Sequence, residues 1–313
     1  MGNSQFTYEL LQSVSSLDEA TLKRGLNRLV EAEVLYQSGI LPQAKYSFKH
    51  ALIQEAAYQS LLKSKRQQYH KRIAKVVEEQ FPDTTETQPE LLAHHYTEAG
   101  LIEQAIRYWQ KAGERARQRS ANVETIGHLT KGLELLSTLP DTPERNQKEL
   151  SLQTTLGPAL IAIKGYAALE VEKAYARAHE LCCQMEETPQ IFPVLSGLRA
   201  FYVVRAEYGT ARELGEQLLC LAQRQQDTAF LLEAHRNLGS ALIWLGELVP
   251  AQAHLEQGIA LYDRQGGVAS LSYLSLWAGP RSGLTGLFIL DSIAAWLSGP
   301  GIKNNPRGPH LGT

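Results

Sequence analysis

The sequence predicts a mainly α-helical chain: a small N-terminal unit of helices around a β-hairpin, then an irregular superhelix of paired helices. Three observations predict it. Apolar residues recur at helical spacing, helix breakers punctuate them at intervals, and one spacing of small and large residues occurs twice. The 313 residues are 43% hydrophobic and 20% charged, which excludes wholesale disorder. That length suggests about two domains.

The N-terminal unit is read from local patterns. Phe6, Leu10, Leu11 and Val14 fit one helix face. Ser15-Ser16-Leu17-Asp18 breaks that run, and Asp18 is placed to cap a second helix carrying Leu22, Leu26, Leu29 and Val30. Val34-Leu35-Tyr36 and Tyr46-Ser47-Phe48 read as two short strands flanking a turn with Gly39 and Pro42. A helix resumes at about Lys49 with Ala51, Leu52, Ala56 and Leu62. Two helices, a hairpin and a closing helix make a winged-helix-like unit over residues 1–62.

Residues 63–265 read as helical throughout. Breakers fall at Pro82, Pro89, Gly100, Pro140, Pro143, Gly165, Pro189, Pro193, Gly209 and Gly246, leaving helices of three to four turns. Ala93, Tyr96, Gly100, Ala105, Trp109 and Ala112 share every internal spacing with Gly239, Leu242, Gly246, Ala251, Leu255 and Gly258. Each set reads as helix, glycine turn, helix. Small residues let paired helices approach, and Tyr96, Trp109, Leu242 and Leu255 fill the space beside them. This pattern resembles the tetratricopeptide repeat, a helical hairpin of about 34 residues. The two sets lie 146 residues apart, so the array is irregular and contains insertions. Weaker pairs lie between them. One holds Leu152, Leu156, Leu160, Val171, Tyr175 and Ala178. The other holds Leu195, Leu198, Tyr202, Ala211 and Leu218 around Gly209.

Residues 266–313 change character. Nine of these 48 residues are glycine, four are proline, and Asp291 is the lone acid, which does not suit the polar capping helix a solenoid needs. Leu287, Phe288, Ile289 and Trp296 lack a clear partner. The segment is either an irregular cap or a truncated, frame-shifted end, and the shift in composition favours the second.

Charge and cysteine content exclude several classes. A net charge of −2 disfavours a globally basic nucleic-acid binder. Three cysteines, Cys182, Cys183 and Cys220, exclude a disulfide framework and a four-cysteine zinc site. The expected compartment is the reducing cytoplasm. The first twenty residues hold no basic side chain, so no secretory signal is expected. Leu284 to Leu297 is the most apolar stretch, but at 14 residues with Asp291 inside it is too short to cross a bilayer.

Two phrases carry a wider resemblance: Tyr46-Ser47-Phe48-Lys49-His50-Ala51-Leu52-Ile53-Gln54-Glu55-Ala56-Ala57-Tyr58 and Leu91-Leu92-Ala93-His94-His95-Tyr96-Thr97-Glu98-Ala99-Gly100. Leu133-Glu134-Leu135-Leu136 and Glu256-Gln257-Gly258-Ile259-Ala260-Leu261-Tyr262 add to them. Over residues 4–265 the chain resembles the C-terminal part of bacterial proteins that fuse a class III adenylate/guanylate cyclase, a STAND-type AAA-like ATPase, a winged helix and a tetratricopeptide array. The resemblance implies an autoregulatory or protein-interaction role, with a peptide, a protein or the upstream ATPase and cyclase domains as partner. It implies no chemistry for this chain. No GxxxxGK[ST] string is present to cradle phosphates, and no GxSxG string to present a nucleophile. No cofactor and no metal is expected.

Other candidate residues have ordinary readings. His94 and His95 point roughly 100° apart on a helix and chelate one ion poorly. Cys182 and Cys183 read as buried thiols acting as small hydrophobes. Lys63, Lys65, Arg66, Lys71, Arg72 and Lys75, beside Lys23, Arg24 and Arg28, could follow a DNA backbone. In the resembled ATPases the winged helix packs on the nucleotide domain, so DNA is the alternative and interaction the main reading. By resemblance to tetratricopeptide grooves, His94, Thr97, Glu233, Arg236, Ser240 and Ile243 are the candidate groove-lining residues, with Arg236 able to grip a carboxylate. The purified chain should make no cyclic nucleotide and hydrolyse no ATP; turnover above a buffer blank in either assay would overturn the non-catalytic reading.

Overall fold

The computed structural model describes residues 5–185 and 189–264. The expectations for residues 266–313 lie outside the described residues. The contacts divide the chain into two compact units, Met1–Pro140 and a second that begins at Asp141. That division falls inside the stretch expected to be one array.

The first unit opens on strand β1 (Gln5–Thr7) and helices α1 (Tyr8–Val14) and α2 (Glu19–Glu31). Strands β2 (Leu35–Ser38) and β3 (Lys45–Phe48) follow, then α3 (Ala51–Gln59). Asp18 caps α2 by accepting the Thr21 amide at 2.9 Å. One sequence expectation fails here. Phe6 is not the first residue of a helix; it pairs with Tyr46 across β1 and β3, making an antiparallel sheet of order β1-β3-β2. The outer edge of β3 offers unpaired backbone groups, and three residues of extended chain satisfy them. Thr7 then ends the strand and starts α1, its hydroxyl accepting the Leu10 amide. Tyr8, Leu22, Leu26, Leu35, Ala44 and Tyr46 form the core between sheet and helices.

The remaining helices of this unit are α4 (Lys63–Gln80), α5 (Pro82–Thr87), α6 (Pro89–Glu98), α7 (Ile102–Gln118) and α8 (Asn122–Leu136). Pro82 and Pro89 open α5 and α6, where a missing N–H costs nothing. The core here joins Ala74 and Val77 of α4, Leu92, Ala93 and Tyr96 of α6, and Ala105, Tyr108 and Trp109 of α7.

The second unit is a run of hairpins. Its helices are α9 (Pro143–Lys164), α10 (Leu169–Gln184), α11 (Ile191–Val204), α12 (Tyr208–Gln225), α13 (Thr228–Trp244) and α14 (Leu248–Arg264). Each packs on the next, and α11 also touches α9 and α13. Short turns make neighbours antiparallel.

Four helix–helix turns share one geometry. α6–α7, α7–α8, α11–α12 and α13–α14 are each joined by three residues. The central one, Gly100, Ser120, Ala206 or Gly246, has φ of +75°, +57°, +61° or +78°. The amide of the third reaches back to Tyr96, Ala116, Tyr202 or Leu242 at 2.9–3.0 Å. This relocates one turn. The α11–α12 hairpin bends at Ala206, and Gly209, the expected breaker, is the second residue of α12. A left-handed alanine ends a helix by the same hydrogen bonds as a glycine, so residue type alone misplaced it.

Small residues set the helix spacing. The Tyr175 ring of α10 sits between Gly157 of α9 and Gly197 of α11; a methyl group on either would meet it at 2.5 or 2.3 Å. Leu255 of α14 fills the space over Gly239 of α13 in the same way. Gly197→Ala should therefore lower stability by about 1–3 kcal/mol. Gly209→Ala, where the added methyl meets nothing within 4 Å, should stay within about 0.5 kcal/mol of wild type. Urea unfolding of the two variants checks this, and equal stability would sink the packing argument.

Candidate functional site

The first helices of three successive hairpins, α9, α11 and α13, come together through α11. Helix periodicity places Glu233, Arg236, Asn237 and Ser240 along one side of α13. The Arg236 guanidinium grips Glu233, Nε donating to Oε2 at 2.8 Å and Nη2 to Oε1. Nη2 also donates to Asn237 Oδ1 at 3.1 Å, and Asn237 Nδ2 donates to Glu233 Oε1 at 3.2 Å. Arg199 of α11 joins this network from the next hairpin. Its Nη1 donates to the Asn237 carbonyl at 3.4 Å and to Ser240 Oγ at 3.3 Å. Its Nε is buried and finds no partner. Tyr166, in the α9–α10 turn, is near enough to interact electrostatically with both guanidiniums.

The two arginines differ in charge environment. Burial lowers the pKa of Arg236, but Glu233 more than offsets it and the group ends above its ordinary value. Burial pushes Arg199 down to about 10, the Arg236 charge adds to the shift, and Glu233 opposes it. Both stay charged at neutral pH. Glu233 is bonded to Arg236 alone and acts on Arg199 only through its charge.

The expected groove residues are placed as follows. Glu233, Arg236 and Ser240 lie in this network. Ile243 packs against the Leu238, Leu242 and Ala251 cluster. In the first unit, His94 is exposed on α6, its ring edge-on to His70. Thr97 accepts the Trp109 indole N–H at 3.0 Å and donates to the Ala93 carbonyl, so its hydroxyl holds the α6–α7 hairpin together. Arg199, Asn237 and Tyr166 were missed. Arg199 precedes Ala206 by the seven residues that separate Ala93 from Gly100 and Gly239 from Gly246, but only the structure identifies Ala206 as the turn.

Several cations of the basic stretches are engaged. Arg72 donates to the Ser15 carbonyl, Lys75 pairs with Glu79, and Lys23 pairs with Glu19. Arg107 and Lys111 pair with Glu78 and Glu86. Glu78 also accepts from the Tyr96 and Tyr108 hydroxyls, tying α4 to α6 and α7. Burial raises its pKa, and these donors together outweigh that and lower it. The buried Glu149 of α9 receives Arg177 through two hydrogen bonds and pairs with Arg145. Among the described residues no group of His, Cys, Asp and Glu is arranged to hold a metal ion. None of the described helices is long and apolar enough to cross a membrane. Cys182 is buried, and burial pushes its thiol up to about 11. Cys183 is exposed, which corrects the reading of both as buried; adjacent helix residues point to different sides.

His70 of α4 and His95 of α6 form a part-buried pair with Nδ1 atoms 2.8 Å apart. One nitrogen must donate and the other accept, so the pair excludes double protonation. Burial pushes His95 down to about 3, with the neighbouring His70 and His94 adding to the shift. The unfolded chain takes this proton near 6.5, and the folded chain refuses it until about 3. Its contribution to stability is thus complete above pH 6.5 and declines as pH falls from there. The decline should be up to about 1.4 kcal/mol per pH unit. Urea unfolding at pH 7 and pH 5 should show a smaller acid loss in His95→Gln than in wild type; equal losses would refute the assignment.

No family model matches the chain. An uncharacterized protein of Rhizobium meliloti (strain 1021) is 24% identical over 302 residues, covering 96% of this chain and 29% of that protein. The chain thus spans less than a third of the curated relative it matches. Among solved structures, apo RapI is similar over 78% of this chain and 74% of its own, at 12% identity and TM-score 0.47. A STAND protein with a tetratricopeptide repeat sensor from Pyrococcus horikoshii is similar over 95% of this chain and 58% of its own, at 10% identity and TM-score 0.45. Tetratricopeptide-like repeats of a putative kinesin light chain from Podosopora anserina are similar over 62% of this chain and 96% of their own, at 17% identity and TM-score 0.44.

Proposed function

We propose that the chain is a non-catalytic interaction module whose α9, α11 and α13 face binds an extended segment of a protein partner. The observation that carries this is the line of half-buried polar groups, Glu233, Arg236 and Ser240, on the side of α13 that Arg199 of α11 meets. Packing does not require polar groups there, and such groups can hydrogen-bond a peptide backbone. The sequence resemblance extends the reading. A winged-helix unit at 1–62 precedes a tetratricopeptide-type array at 63–265, and together they regulate an upstream ATPase and cyclase in the cytoplasm. The partner is a peptide, a protein or those upstream domains. DNA binding is the weaker alternative, because the chain carries a net charge of −2.

A library of C-terminally amidated dodecapeptides tests the module. The full chain should select a consensus. Ser240→Tyr, which fills the face, should weaken the selected peptides by about tenfold or more. Arg224→Tyr, on the exposed side of α12, should leave them unchanged. Selection of no consensus would end the peptide reading.

A further inference from the structure

Arg199 occupies a position that packing assigns to a small residue. Seven residues before the left-handed turn residue stand Ala93 in the α6–α7 hairpin and Gly239 in the α13–α14 hairpin, both buried. The same step from Ala206 leads to Arg199. This arginine is only 6% exposed. Among the described residues it forms no ion pair, its Nε has no partner, and its two hydrogen bonds, at 3.3 and 3.4 Å, are long. Among the described residues of this unit another buried ion, Glu149, is treated differently, being matched by Arg177 and Arg145. A buried charge without a partner is costly, and a methyl group would serve the packing. The surplus positive charge beside Arg236 therefore marks a place for an anion that arrives from outside. Ser240, which Arg199 bonds, and Tyr166, whose charge reaches both guanidiniums, are each partly exposed.

We propose that Arg199, with Arg236 beside it, receives the side-chain carboxylate of an Asp or Glu in a bound peptide. The proposal rests on the peptide-binding reading and names the chemistry that reading leaves open. Arg199 and Ser240 sit within their helices and not at helix ends, so the site suits a residue in the middle of a peptide. A guanidinium presents its donors as a planar fork that matches a carboxylate, and the free Nε–H is one tine of it.

The test uses the full chain and amidated dodecapeptides with one central position fixed as Glu, Asp, Gln or Asn. Wild type should bind the acids at least about tenfold more tightly than their amides. In Arg199→Met that preference should fall to about threefold or less, while other positions of the consensus persist. The Arg199 Nε–H resonance, identified by its loss in Arg199→Lys, should move downfield with the Glu peptide and stay in place with the Gln peptide. This readout holds even if Arg199→Met fails to fold. Peptides that bind with no acid preference, or a preference unchanged in Arg199→Met, would each overturn the site. Failure of every peptide to bind would instead remove the peptide-binding reading beneath it.

Discussion

Two helices pack closely only where one offers a small residue and the other a large one. The second unit depends on that constraint. Tyr175 reaches into space left by glycines on both flanking helices, and Leu255 does the same over Gly239. Gly113 and Leu129 repeat the arrangement between α7 and α8 in the first unit. Such contacts set the helix separation, and the short turns then dictate that neighbours run antiparallel. Stacking α9–α10, α11–α12 and α13–α14 this way brings the first helix of each hairpin against the next first helix. The polar side of α13 and the charge of Arg199 meet there because of that stacking.

Within this frame most buried polar groups are matched inside the chain. Glu149 has two arginines, Glu78 has two tyrosines and an arginine, and Thr97 has the Trp109 indole. These networks tie neighbouring helices and give rigidity with little chemistry. The histidine pair His70–His95 belongs with them, a link between α4 and α6 that exists only while one of its nitrogens lacks a proton. Arg199 departs from this pattern, since neither packing nor an internal carboxylate accounts for it.

Much of the fold was legible because it is written in local spacing. Asp18 lies three residues from the amide it caps, and the hairpin strands around Leu35 and Tyr46 and the two small-and-large sets each find their partners within one hairpin. Strand β1 was not legible, since three residues carry no period and the partner strand lies about forty residues on. The turn at Ala206 was hidden because alanine gives no hint of a left-handed conformation. In the candidate site, Glu233, Arg236 and Ser240 were chosen by resemblance to tetratricopeptide grooves, and all three stand on one helix. Arg199 was not, because its partners Asn237 and Ser240 stand on another hairpin.

The sequence by itself determined the class of architecture: amphipathic helices broken by glycine and proline, with small residues where helices must meet. It determined the charge of each candidate residue and the absence of nucleotide-binding and nucleophile strings. Only the tertiary structure decided which charges are matched. Pairing across hairpins depends on a register set by packing volume, and volume is a property of facing residues. A carboxylate one turn away claims Arg236, while burial between helices leaves Arg199 with an idle donor.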